Sequence, residues 1–233
     1  MVEEQKMSVD EFKLNYPKLS EVLSEWCGTE ENENLAICHA FTLYEYKKNI
    51  TSGNAAYEID NMNREFDYIE HMYSAHPYVF YQQARILKEL RQDHIIGDEY
   101  NHLIKSNYDS CLMMINSPSF AQIKNTRTYP SILWIYAMFL LSSNSLEPAS
   151  HYADDAVKNF ERLSIKDSDY DDALLIYGIA EIGLFALTLD KNHLKNARNV
   201  AKKFEKKKCF PKNVQVHYDQ LTQEIAKYNR FKI

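Results

Sequence analysis

The chain has 233 residues, 45% apolar and 26% charged, a globular balance that excludes intrinsic disorder and suffices for one large domain or a short solenoid. Five glycines and six prolines are too few for the many turns of a sandwich or barrel, so long helices are expected. A net charge of −6 excludes whole-molecule attraction to nucleic acid or anionic membrane, although residues 1–34 are acidic and 191–212 strongly basic.

The first helix is announced by Ser8 and Glu11, which have capping-box spacing. Val9, Phe12, Tyr16, Leu19, Leu23 and Trp26 then recur every three or four residues and make one apolar face. Pro17 falls inside this pattern and predicts a kink or a split. An acidic linker follows. From Leu35 onward helical patterns come in pairs: 35–48, then a stripe of Ile59, Met62, Phe66, Ile69 and Met72. His76–Pro77 breaks the chain before a helix from Tyr78, and Gly97 separates that helix from the next. Residues 116–128 lack helical periodicity and read as a loop, long enough to be functional or an insertion. Thr128 and Pro130 signal a new helix. Ser145, Ser168 and Asp190 are the expected caps of later ones. Nine to eleven helices and no strand are expected in all.

The four cysteines, Cys27, Cys38, Cys111 and Cys209, are widely spaced and form no CxxC pair. That pattern predicts free thiols in a reducing compartment, cytoplasm or nucleus. The acidic start does not have the form of a signal peptide, and the longest apolar run, in 131–141, is about half a bilayer span, so no membrane span is expected.

A shift of 41 residues maps Leu133 onto Leu174, Tyr136 onto Tyr177 and Ala137 onto Gly178. The same shift maps Ala156 onto Ala197, Phe160 onto Ala201 and Leu163 onto Phe204. Both helices of one pair therefore match both of the next, with small residues on small residues, as close helix–helix approach requires. On Tyr136, Ala137, Ala156 and Phe160, and on Tyr177, Gly178, Ala197 and Phe204, the chain resembles the tetratricopeptide-repeat-like family of α-hairpin solenoids. The unit is longer than the family's usual 34 residues, and the family's closing proline is missing from both matched units. The resemblance implies an all-α fold of antiparallel hairpins stacked as a short right-handed superhelix. It also implies a non-catalytic scaffold or adaptor that binds a partner segment in a concave groove. Residues 1–34 would supply a capping helix and linker, and 35–233 the repeat domain with its insertion near 116–128.

Tyr44, Tyr78, Tyr81, Tyr136 and Tyr177 fall on the first helices of successive pairs, the helices that line the concave side of a solenoid. Arg85 and Lys88 follow Tyr81 by one to two turns, so Tyr44, Tyr78, Tyr81, Arg85 and Lys88, with Trp134 further on, form a candidate aromatic and basic groove. Lys195, Arg198 and Lys202, with Lys191, Lys203 and Lys206–Lys208, make a second candidate along the basic helix, either a dock for acidic or nucleic-acid ligands or a solvated face. Arg64 and His71 fall within the loose arginine–histidine pattern of HEPN-type helical ribonucleases, the enzymatic alternative. Glu99 and His102 are a single E-x-x-H, and no second copy completes a di-iron set. No catalysis, metal or cofactor is expected. The expected partner is a protein segment or acidic surface, nucleic acid ranking behind it.

Overall fold

A computed structural model describes residues 8–205, 207 and 210–229. Among them the fold is all-α, without strands, and no helix is long and apolar enough to cross a membrane. Lys206, Lys208 and Cys209 lie outside the described residues.

The chain forms two compact units, divided after Lys124. The first holds α1 (Val9–Asn15), α2 (Leu19–Glu25), α3 (Glu31–Tyr46), α4 (Ala55–Tyr73), α5 (Pro77–Gln92) and α6 (Asn101–Ile115). The capping box at Ser8 and Glu11 is formed, and the break expected at Pro17 separates α1 from α2. His76 caps α5 by accepting the Tyr78 amide on Nδ1, with Pro77 in the first turn, where its missing N–H costs nothing. Helix α3 packs against α1, α2, α4 and α5, and α5 packs against α6.

The second unit holds α7 (Thr128–Ser142), α8 (Leu146–Arg162), α9 (Ser168–Thr188), α10 (Lys191–Phe204) and α11 (Lys212–Ala226). Helix α7 packs on α8 and α9, α8 on α9, and α9 on α10 and α11. Helices α8 and α10 are strongly amphipathic, whereas α9 buries residues around most of its circumference, from Asp172 to Phe185. Full burial of Phe160, Phe185 and Phe204 contributes about 2–3 kcal/mol each. Gly178 serves the close approach inferred from the repeat. A Cβ there would meet Leu221 Cδ2 at 2.9 Å and Val200 Cγ1 at 3.1 Å.

Two expectations are corrected. The stretch 116–128 is not structureless: a 3₁₀ helix spans Ala121–Asn125 and is pinned by the buried Ile123. The cap of α9 is Asp167 rather than Ser168, because its carboxylate reaches the amides of both Asp169 and Tyr170. Asp190 caps α10 as expected. The scarcity of glycine has a structural counterpart at the helix ends. Cys27, His94, Asn144, Ser164 and Leu189 adopt the left-handed conformation that glycine usually supplies, and no glycine does.

Candidate functional site

A group of charged side chains in the first unit converges where the end of α3 meets α5. Tyr44 sits in the last turn of α3, and Lys47 opens the 3₁₀ turn Lys47–Asn49 that continues it. On α5, Tyr81, Arg85 and Lys88 recur at four and three residues and share a face, and Glu89 follows Arg85 by one turn.

Lys47 Nζ lies 4.2 Å from the Tyr44 ring centroid and Arg85 Cζ lies 4.1 Å from it, so the ring takes two cations. Arg85 Nη2 donates to the Tyr44 hydroxyl at 2.7 Å, and Arg85 Nε donates to Glu89 Oε1 at 2.9 Å. Lys47 also pairs with Glu89. Glu89 is thus shared by two cations and the Tyr44 hydroxyl, 3.4 Å away.

Lys88 has no such partner among the described residues. It is only 7% exposed, and burial pushes its ammonium down to about 8, helped by the like charges of Arg85 and Lys47. Burial and Arg85 push Lys47 down to about 8 too, against the opposite charges of Asp93 and Glu45. Burying a cation beside two others with one carboxylate between them is costly.

An aromatic wall adjoins the cluster. The Trp26 ring lies 4.9 Å from Tyr78 and 5.3 Å from Tyr81, and Tyr81 lies 6.5 Å from Tyr108. Tyr81 is half-buried. Tyr78, expected in the groove lining, is instead a core residue, 2% exposed, its hydroxyl taking the Gln82 amide. The periodicity that placed it on the helix could not tell the inward from the outward side of α5. The structure therefore brings Tyr44, Tyr81, Arg85 and Lys88 into one region and adds Lys47 and Glu89, which went unremarked in the sequence. Spacing offered a signal for both: Lys47 follows Tyr44 by three residues, and Glu89 follows Arg85 by four.

Trp134 is half-buried on α7, its indole N–H enclosed without an acceptor. Tyr136 is buried against Tyr152, at 4.8 Å between centroids, whereas Tyr177 is half-buried and packs on Ala137, Ala153 and Ile176. Lys195 and Lys202 are exposed. Arg198 is half-buried and donates to the Tyr228 carbonyl at 3.2 Å, so it ties α10 to the end of α11. Arg64 and His71 are exposed on α4, with Arg64 paired to Asp60 one turn away. His102 Nδ1 meets the Glu99 carbonyl at 2.9 Å, a local turn contact. No metal-binding group of histidine, cysteine or carboxylate side chains occurs among the described residues. Cys111 is buried, and burial raises its thiol well above the usual range.

Two buried carboxylates on α9 were not read from the sequence. Asp172 is met by His217 Nδ1 at 2.9 Å and by the Asn213 amide, both from α11. Glu181 accepts from Ser150 Oγ of α8 at 2.6 Å and from Asn196 Nδ2 of α10 at 2.6 Å, with His193 Nδ1 at 3.1 Å. Nine residues are two and a half turns, so the two carboxylates leave opposite sides of α9. Every bond they make is to a neighbouring helix of the same unit, and they tie that unit together. Glu181 had a sequence signal, a lone acid inside the apolar run "IAEIGLF", whereas Asp172 follows Asp169 and Asp171 and had none.

No protein-family model, curated protein or solved structure matches the chain.

Proposed function

We propose that the protein is a non-catalytic scaffold built from tetratricopeptide-like helical hairpins, and that it holds a partner protein segment against the α3–α5 face of the first unit. The observation that carries this reading is the Tyr44 ring, half-buried between Lys47 and Arg85, with the half-buried Tyr81 ring on the same face of α5 as Arg85 and Lys88. Aromatic rings with arginine are the side chains that most often dominate binding energy. The order of helix contacts supports the hairpin reading: α7 touches both α8 and α9, and α9 touches both α10 and α11. The free buried thiols Cys38 and Cys111 fit a cytoplasmic or nuclear setting.

The basic helix is the competing surface, since Lys195 and Lys202 are exposed and Lys202 lines a shallow groove with Ala201, Thr222 and Ile225. Affinity capture with paired variants separates the two. Tyr44→Ala with Arg85→Ala is expected to lower partner retention at least about tenfold, the loss of one binding anchor. Lys195→Ala with Lys202→Ala is expected to leave it unchanged. The opposite pattern would transfer the function to α10.

A further inference from the structure

We propose that the Lys47–Arg85–Lys88 cluster is a phosphate-recognition site, and that the segment it holds is a phosphorylated peptide. The inference rests on the scaffold reading above and adds the chemistry of the ligand.

Two cations share one carboxylate here, and a third acts on them from the same helix as Arg85. Glu89 is already engaged by Lys47, Arg85 and the Tyr44 hydroxyl. The charged groups that act on Lys88 are Arg85, on its own helix, and Lys47, from the turn after α3; both are cations. Three other acids stand nearby, of which Glu25 acts on the Tyr81 hydroxyl. Glu45 pairs with Lys48, and Asp93 is exposed at the end of α5 and acts on Lys47 rather than on Lys88. Three cations thus stand about Glu89 and the more distant Asp93, and positive charge is in excess. One belongs to a side chain held almost wholly out of water without an anion.

A phosphomonoester carries about −1.5 to −2 at neutral pH and offers three acceptor oxygens. It brings more negative charge and more acceptors to such a cluster than one carboxylate does. The donors match as well. The Lys88 ammonium has no partner among the described residues, Lys47 has donors beyond its bond to Glu89, and Arg85, with 34% of its side chain exposed, presents a guanidinium edge. Tyr44 and Tyr81 supply ring surface for the residues that flank the phosphate. A peptide is favoured over a lipid headgroup because the site is framed by half-buried aromatic rings, and because the chain as a whole is acidic at −6, which repels an anionic bilayer.

The direct test is titration of the full chain with inorganic phosphate while the Lys88 side chain is followed by NMR. Phosphate is expected to raise the pH at which Lys88 loses its proton by about one unit or more, as an opposite charge in contact does. A degenerate peptide library with a fixed phosphoserine is then compared with its unphosphorylated and glutamate counterparts. The phosphorylated pool is expected to bind at least about tenfold better than either, and Lys88→Met or Arg85→Gln is expected to remove that advantage. Lys195→Met, on α10, is expected to keep it.

A Lys88 titration that ignores phosphate, or a library that shows no preference, overturns the proposal. So does binding to vesicles containing phosphoinositides without binding to any phosphopeptide. Partner capture that survives phosphatase treatment yet fails in Tyr44→Ala, Arg85→Ala removes the phosphate inference and leaves the scaffold reading in place. Capture unaffected by those two changes removes both.

Discussion

Replacing Lys88 by Met is expected to make the protein more stable. Met keeps the unbranched stem and drops the charge, so the packing on α5 changes little. The ammonium is held at about 8 instead of the usual 10.5, which corresponds to about 3 kcal/mol of penalty at neutral pH, since one pH unit is about 1.4 kcal/mol. Part of that is lost with the tip's remaining contacts, so a gain of about 1–3 kcal/mol is expected. For a chain of this size it raises the melting midpoint by roughly 2–10 °C. The pH dependence is distinctive. Between pH 8 and 10.5 the unfolded chain holds a proton that folded Lys88 has released, so the wild type gains stability as pH rises through that window. The advantage of Lys88→Met is therefore full below pH 8 and fades towards pH 10.5. Urea unfolding followed by circular dichroism at pH 7 and pH 10 measures both numbers. A variant less stable than wild type at pH 7, or an advantage equal at the two pH values, would refute the reasoning.

Other changes test the packing of the second unit. Gly178→Val is expected to cost about 2 kcal/mol or more in the same assay, because its side chain would collide with Val200 and Leu221. Glu181→Ala strands the Ser150 hydroxyl and the Asn196 amide in the interior and is expected to cost about 2–4 kcal/mol. Leu189→Gly is expected to stabilise by about 1 kcal/mol, since Leu189 sits at φ 58° with 61% of its surface exposed and gives up little burial. Lys195→Ala is expected to change stability by less than about 0.5 kcal/mol, because the side chain is exposed.

The helices were legible because their signals are local. Ser8 with Glu11, Pro17, His76–Pro77 and Asp190 each act within one turn, and each ends or begins a helix where it was expected to. The candidate site was half legible. The four- and three-residue steps from Tyr81 to Arg85 to Lys88 put them on one face, but the partner face of α3, and Glu89 as the shared acceptor, depend on how two helices meet. Tyr78 shows the limit. It lies one turn before Tyr81 on the same helix, is of the same residue type and packs on the same Trp26, yet it is 2% exposed while Tyr81 is half-buried. The buried bonds of Asp172 and Glu181 were out of reach for the same reason: their partners lie 12 to 45 residues away along the chain.

Helix α9 gives the second unit an unusual seam. Arrays of hairpins ordinarily fray from their ends, each pair letting go of the next at small expense. Here peeling away α11 would remove both bonding partners of Asp172, and peeling away α10 would remove two of the three of Glu181. Either step gives up two buried side-chain hydrogen bonds to α9 on top of the packing. Helices α10 and α11 are therefore held to α9 by side-chain bonds as well as by packing, and amide protons along the middle of α9 should exchange last and together, at the unit's global opening free energy.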